Sequence, residues 1–175
     1  TSVKCLSGTE RVREAANRAG ANISDIIVNI QGDEPLLEPR LIDRAINALV
    51  KDRRYLVSTL ASPIKDKKEI FDPAAVKVLL GHDDNALYFS RAPVPMNREG
   101  KKINGSYFKH AGLYVFRKSV LDRWMKMKSR YEKIEKLEQL RLVENGYPVK
   151  VVIAHSRSIG VDTPRDVAKV KKLLR

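Results

Sequence analysis

The chain has 175 residues, the length of one domain and enough to bury a core. Its net charge of +13 attracts anions in general, but the basic residues are scattered and no basic arm with interleaved aromatic residues occurs, so we do not expect a nucleic-acid partner. No apolar run reaches the roughly 20 residues of a membrane span, and the one cysteine, Cys5, excludes an internal disulfide. We therefore expect a cytoplasmic protein with no membrane partner.

Helices and strands are predicted to alternate along the chain. The capping-box pattern of Ser7 to Glu10 predicts the start of the first helix, and Pro39 suits the first turn of the second. Further helices are predicted at about 119–128, at 134–144 and from Thr163-Pro164 onward. Strands are predicted at residues 25–30, 55–61, 76–80, 86–90, 110–116 and 149–154, with a loop at 93–105.

This alternation indicates an α/β fold with a mixed, mostly parallel sheet flanked by helices. The chain opens directly on a helix start, and neither of the Gly-rich phosphate-loop patterns, GxGxxG and GxxxxGK[ST], occurs. An α/β enzyme that handles phosphate normally has such a loop after its first strand. We therefore expect that the first strand of such an enzyme is absent from this sequence.

Asp33 follows an apolar stretch that stops abruptly at Gln31-Gly32-Asp33-Glu34-Pro35. In open α/β sheets, ligands bind just outside the carboxyl ends of the strands. Mg²⁺ typically takes one or two carboxylates together with substrate phosphate oxygens and waters, so Asp33 is a candidate metal ligand. The same residue types also form simple turns, and that alternative stays open.

Asp162 is a second acid that follows a predicted strand and precedes a predicted helix. A carboxylate at a helix start is stabilised by the helix dipole, so helix capping is the alternative interpretation. Two strand-end acids that are distant in sequence can nevertheless converge on one metal.

Arg91 ends another predicted strand, and arginine binds carboxylate or phosphate in a bidentate manner, although a surface salt bridge is commoner. His110, Gly112 and Tyr114 fall on one face of a strand. A polar face with a glycine gap suits a sugar that lies against the sheet. A half-buried structural histidine is the alternative for His110.

Six blocks in this order resemble the 3-deoxy-manno-octulosonate cytidylyltransferase family, also called the CMP-Kdo synthetases. These blocks are spread over essentially the whole length of the chain. The blocks are Ser7–Arg11, Val28–Pro35, Ala86–Arg91 with Pro93 and Pro95, His110–Tyr114, Leu137–Arg141 and Gly160–Pro164.

The resemblance implies transfer of a cytidylyl group from CTP to the sugar acid Kdo, a lipopolysaccharide precursor step that requires Mg²⁺. It also implies a nucleotide-diphosphosugar transferase-like fold, one cytidylyltransferase domain over residues 1–175, and a homodimer. The family's metal aspartates fall on Asp33 and Asp162, and the Ser7-Gly8 segment falls beside the nucleotide. The sugar-binding residues fall on Gln31, Arg91, His110, Tyr114, Glu138 and Gln139.

The sequence departs from the family where a first strand and a loop rich in Arg, Gly and Lys would grip the CTP triphosphate. About the first third of the usual chain is expected to be missing. Either the sequence is a fragment or another segment supplies the loop, and the missing loop leaves open a catalytically silent fragment or scaffold. A cytidylyltransferase for a related acid sugar also stays open. The charge of +13 is the sole reason to keep a binder of nucleic acid or acidic surfaces as an alternative.

Overall fold

A computed structural model describes residues 1–5, 7–99, 106–154, 161 and 164–173. The helices are α1 Gly8–Arg18, α2 Pro39–Lys51, α3 Lys67–Phe71, α4 Lys118–Arg123, α5 Tyr131–Glu135, α6 Leu140–Glu144 and α7 Pro164–Leu173, with a 3₁₀ turn at Trp124–Lys126. The strands are β1 Ile26–Ile30, β2 Val57–Pro63, β3 Lys77–Leu80, β4 Ala86–Ser90, β5 Phe108–Arg117 and β6 Val149–Ile153.

Strand β5 is the centre of the sheet, because it pairs with β1, β2 and β3. The strand order is β4-β3-β5-β2-β6, and β1 also pairs with β5. The mixed α/β fold is confirmed, but the expectation of a mostly parallel sheet is wrong for the described strands, in which only β2 and β6 pair in parallel. Strands β1, β2, β3 and β6 do point the same way. The antiparallel β5 is inserted among them, and hydrophobic patterning carries no signal for strand direction.

Side chains of β5 alternate between two apolar layers, as the two-residue period of a strand requires. Leu113 and Val115 pack with the buried face of α2, while Tyr114 and Phe116 pack in a second cluster with Trp124 on the opposite face. Each large side chain buried in this way contributes about 1.5–3 kcal/mol to folding. The sheet is therefore held between helices, and its strand ends are fixed in position.

The sequence predicted several local structures correctly. Ser7 caps α1 by accepting a hydrogen bond from the Glu10 N–H at 3.3 Å. Proline occupies the first turn of α2, and β3 and β4 form the expected hairpin. Residues 93–99 of the predicted loop contain neither helix nor strand, and the remainder of that loop, 100–105, lies outside the described residues. None of the helices in the described part of the chain has the length and apolarity needed to cross a bilayer.

Two predicted helices are shorter than expected. The helix predicted at 134–144 is divided into α5 and α6, because Lys136 adopts the left-handed conformation with φ of 54°. Glu138 and Gln139 consequently lie in the connection between two helices rather than on a helix. The helix predicted at 119–128 ends at Arg123 and continues only as the 3₁₀ turn.

Replacement of Lys136 by glycine tests the break between α5 and α6. The left-handed conformation is strained for a residue with a Cβ but not for glycine. The relief of this strain in the folded state offsets the conformational entropy that glycine adds to the unfolded chain. We expect Lys136→Gly to leave the free energy of unfolding unchanged or to raise it by up to about 1 kcal/mol in urea titrations.

Lys133→Gly is the matched control, because it makes the same chemical change inside α5. It should lower the free energy of unfolding by about 1 kcal/mol. Equal losses in the two variants would contradict the left-handed conformation of Lys136.

Candidate functional site

The turn that follows β1 is docked on the backbone of Gly112 in β5. The Gln31 N–H donates to the Gly112 carbonyl at 3.0 Å, and the Gly112 N–H donates to Glu34 Oε1 at 3.1 Å. Both polar groups of Gly112 are therefore bonded to residues that flank Asp33. Since Asp33 itself is exposed, its carboxylate is presented to solvent at the end of β1 from a turn that is fixed on both sides.

The close approach of the Gln31 side chain explains why residue 112 is glycine. A Cβ built on Gly112 would lie 2.9 Å from Gln31 Cγ and 3.1 Å from Gln31 Cβ. The glycine gap that the sequence suggested for a sugar is thus occupied by the Gln31 side chain.

Val161 contacts the same turn. The Val161 N–H donates to the Asp33 carbonyl at 2.8 Å. Asp162, the next residue in the sequence, lies outside the described residues. The convergence of Asp33 and Asp162 on one metal stays a prediction.

The N-terminus of α1 meets a carboxylate from the α5–α6 connection. Glu138 accepts hydrogen bonds from the Gly8 N–H at 3.1 Å and from the Thr9 N–H at 3.2 Å. A Cβ on Gly8 would lie 3.8 Å from both Gln31 Nε2 and Glu138 Oε1. The predicted nucleotide residue Gly8 and two predicted sugar residues therefore lie side by side.

The aromatic rings of Tyr114 and His110 contact each other, and Tyr114 lies near Glu138. Their ring centroids are 5.2 Å apart, and His110 is also 5.2 Å from Phe89. Burial, together with the negative charge of Glu138, raises the pKa of Tyr114 well above its ordinary value. Burial lowers the pKa of His110 from 6.5 to about 3, so the imidazole is neutral near pH 7. Both residues therefore offer neutral hydrogen-bonding groups.

Arg91 makes mainly structural contacts. Its Nε donates to the Glu135 carbonyl at 2.8 Å, and its terminal nitrogens donate to the carbonyls of Pro73 at 2.8 Å and Lys136 at 3.4 Å. The Glu135 carboxylate in turn accepts from Ser90 Oγ at 2.7 Å and from the Arg91 N–H at 2.9 Å. Arg91 thus ties the end of β4 to the α5–α6 connection, and only its remaining N–H groups are left for a ligand.

Sequence reasoning missed the contributions of Glu34 and Glu135. Glu34 lies within the acidic turn, but nothing in the pattern indicated that it bonds to β5 while Asp33 faces solvent. Glu135 falls on a predicted helix, where most charged side chains are simply exposed to solvent. Gln139 is buried immediately before α6, and the described contacts do not show a partner for its amide group.

No group of three or more His, Cys, Asp or Glu side chains that could hold a metal ion occurs within the described residues. That finding does not conflict with a Mg²⁺ site, because Mg²⁺ needs only one or two carboxylates when substrate phosphate and water complete its shell. The hard oxygen donors of Asp33 are of the type that Mg²⁺ prefers.

Comparison with known proteins gives consistent relatives. A family model described as cytidylyltransferase matches residues 1–157. A 3-deoxy-manno-octulosonate cytidylyltransferase of Solibacter usitatus is 46% identical over 171 residues, which are 97% of this chain and 66% of the relative. One from Protochlamydia amoebophila is 43% identical and covers 99% of this chain and 68% of the relative. The chain spans about two thirds of the length of these curated relatives.

Two solved structures are also similar. A CMP:2-keto-3-deoxy-manno-octonic acid synthetase complexed with CTP matches with a TM-score of 0.87 and 36% identity, over 98% of this chain and 69% of that chain. A protein described as a glucose-1-phosphate thymidylyltransferase from Bacillus anthracis matches with a TM-score of 0.65 at 13% identity, over 99% of this chain and 63% of that chain. The second likeness concerns the fold alone.

Replacement of Gly112 by alanine tests the docking of the turn on β5. The added methyl group would overlap Gln31, so we expect the free energy of unfolding to fall by about 1–3 kcal/mol, the usual cost of overpacking. Gly32→Ala is the matched control, because a Cβ there meets nothing within 4 Å. If urea titrations show the same change for both variants, the close approach at Gly112 is not as described.

The neutral state of His110 predicts a specific pH dependence. The folded protein binds the His110 proton with a pKa of about 3 and the unfolded chain with a pKa near 6.5. The unfolded state therefore binds more protons between these values, and the contribution to stability is full above pH 6.5 and is lost as the pH falls toward 3. Urea titrations of His110→Gln should show a weaker decline over that range than the parent protein. His82→Gln, an exposed control, should keep the parent decline.

Proposed function

This chain belongs to the cytidylyltransferase family, and we propose on that premise that it forms most of an enzyme that transfers a cytidylyl group from CTP to 3-deoxy-manno-octulosonate (Kdo). The products are CMP-Kdo and pyrophosphate. Curated relatives at 41–46% identity that carry this enzyme name support the choice of substrates. The observation that carries the proposal is the contact between the Asp33 turn and Val161, because it joins the two segments that hold the acidic residues.

Asp33 and Asp162 are the residues proposed to hold Mg²⁺. When bound, the metal supplies charge neutralisation at the α-phosphate and lowers the pKa of a hydroxyl that it contacts. The protein holds Asp33 ready for this role, because Gln31 and Glu34 fix the turn on Gly112 while the Asp33 carboxylate stays exposed. A rigid turn avoids the entropy cost of ordering the ligand when the substrates bind.

The sugar acid is proposed to lie beside Gln31, His110, Tyr114, Glu138 and Gln139. The anomeric hydroxyl of the sugar attacks the α-phosphorus of CTP in line, and pyrophosphate leaves. No protein base is assigned to the hydroxyl. The residues named here bind and orient the sugar, and their neutral or carboxylate acceptors suit a ligand that is rich in hydroxyl groups.

Ser7 and Gly8 are proposed to lie beside the nucleotide. Support comes from their place at the start of α1, adjacent to Gln31 and Glu138. Arg91 is proposed to hold the sugar carboxylate through its remaining N–H groups, while its bonds to the α5–α6 connection keep Glu138 in position.

We further propose that the enzyme acts in the cytoplasm as a homodimer and serves the synthesis of lipopolysaccharide precursors. These statements rest on the family resemblance. Sedimentation-velocity ultracentrifugation of the full-length protein checks the dimer, and a monomer at micromolar concentration would remove it from the proposal.

Production of CMP-Kdo and pyrophosphate from CTP and Kdo is the direct test of the proposed activity. The assay is made with the full-length natural protein and, separately, with the 175-residue chain. If the full-length protein is active and the 175-residue chain is not, residues outside this sequence contribute to the active site. Absence of activity in the full-length protein would overturn the proposed function.

Asp33→Asn is expected to reduce turnover by about 10²–10³-fold, which corresponds to several kcal/mol of transition-state stabilisation. Because Asp33 is exposed, the free energy of unfolding should change by less than about 0.5 kcal/mol. Asp43→Asn, an exposed acid on α2, is the matched control and should retain activity. Near-parent turnover in Asp33→Asn would exclude a metal role for this residue.

Asp162→Asn is expected to raise the Mg²⁺ concentration that gives half-maximal activity. The measurement is a Mg²⁺ titration at saturating CTP and Kdo. An unchanged titration curve would instead assign Asp162 to capping of α7.

A further inference from the structure

The hydroxyl group of Thr59 connects two parts of β5. Thr59 is fully buried in β2. Its Oγ1 donates to the Leu113 carbonyl at 2.6 Å and lies 2.8 Å from Nε2 of His110. Neither the sequence motifs nor the family resemblance assigned a role to this residue.

An irregularity in β5 creates this arrangement. Thr59 is paired with Tyr114, but the next residue of β2, Leu60, is paired with Ala111. Gly112 and Leu113 therefore have no partner in β2, and β5 bulges at these two residues. The bulge brings the Leu113 carbonyl and the His110 ring to the same hydroxyl group.

The hydrogen atoms of this triad can be assigned from chemistry. A carbonyl oxygen only accepts hydrogen bonds, and a threonine hydroxyl has a single hydrogen, so that hydrogen lies on the bond to Leu113. Toward His110 the hydroxyl can then only accept. Nε2 of His110 must therefore carry a hydrogen, and in a neutral imidazole the other nitrogen, Nδ1, is then an acceptor.

We propose that Thr59 is a positioning residue that fixes His110 in its Nε2–H tautomer, so that His110 offers the ligand a hydrogen-bond acceptor at Nδ1. The complementary ligand group is a hydroxyl or another hydrogen-bond donor, and a carboxylate is disfavoured at this position. For the identity of the ligand as a sugar acid, the inference rests on the proposed function. The tautomer itself does not.

The experiment uses the full-length protein labelled with ¹⁵N-histidine and long-range ¹H–¹⁵N correlation spectra at pH 7, which report the protonated nitrogen of each imidazole. The signal of His110 is assigned by its loss in His110→Gln. We expect Nε2 to be protonated and Nδ1 to be unprotonated. The opposite pattern in the parent protein would overturn the inference.

Two variants test the role of Thr59. Thr59→Val has a similar shape without the hydroxyl and should lose the single Nε2–H pattern, whereas Thr59→Ser should restore it. Ser58→Ala is the matched control, because it removes the neighbouring buried hydroxyl, which donates to the Ala45 carbonyl at 2.6 Å, and leaves the triad intact. If Thr59→Val keeps the parent pattern, Thr59 does not set the tautomer. If Thr59→Val fails to fold, Thr59→Ala, which also lacks the hydroxyl, takes its place with the same expected outcome.

Kinetics test the consequence for binding. Thr59→Val should raise KM for Kdo about tenfold while KM for CTP changes less than twofold, and Thr59→Ser should recover most of the loss. An equal rise in both KM values would contradict a role at the sugar. A parent protein that shows the expected tautomer but no activity with CTP and Kdo would overturn the proposed function and leave the tautomer assignment standing.

Discussion

The candidate site depends on the two backbone hydrogen bonds of Gly112. The carbonyl of this glycine accepts from Gln31 and its N–H donates to Glu34, so the acidic turn is attached to the central strand at two points. A side chain at residue 112 would overlap the Gln31 side chain, so the turn or β5 would have to shift. The positions of Asp33 and Gln31 follow from this one close approach.

The arrangement divides the candidate residues into two kinds. Asp33 is exposed and bonded only through its backbone in the contacts described above, which suits a group that must change partners when a ligand arrives. Arg91 donates to backbone carbonyls, and the Glu135 carboxylate accepts from Ser90 and from the Arg91 N–H, which suits groups that hold their surroundings still. Rigid support behind a small number of free groups is the usual condition for precise positioning of reacting atoms.

Local elements of the fold could be predicted from the sequence because their signals are local. Ser7 and Pro39 mark helix starts through hydrogen-bond geometry and φ preference, and the stop of the apolar stretch before Asp33 marks the end of β1. The direction of β5, the break at Lys136 and the contacts of Glu34 could not be predicted, because each is decided by partners distant in sequence. Glu138 illustrates the difference: its block indicated sugar binding, while its bonds to Gly8 and Thr9 depend on the folded arrangement.

The bond between Glu138 and Gly8 joins residues that are 130 positions apart. Contacts of such long range form late in folding, because the entropy of closing a large loop must be overcome before the contact contributes. During synthesis, the start of α1 leaves the ribosome long before its partner carboxylate does. The contact at the start of α1 therefore forms only after the chain has been made at least as far as Glu138, and a shorter nascent chain lacks it.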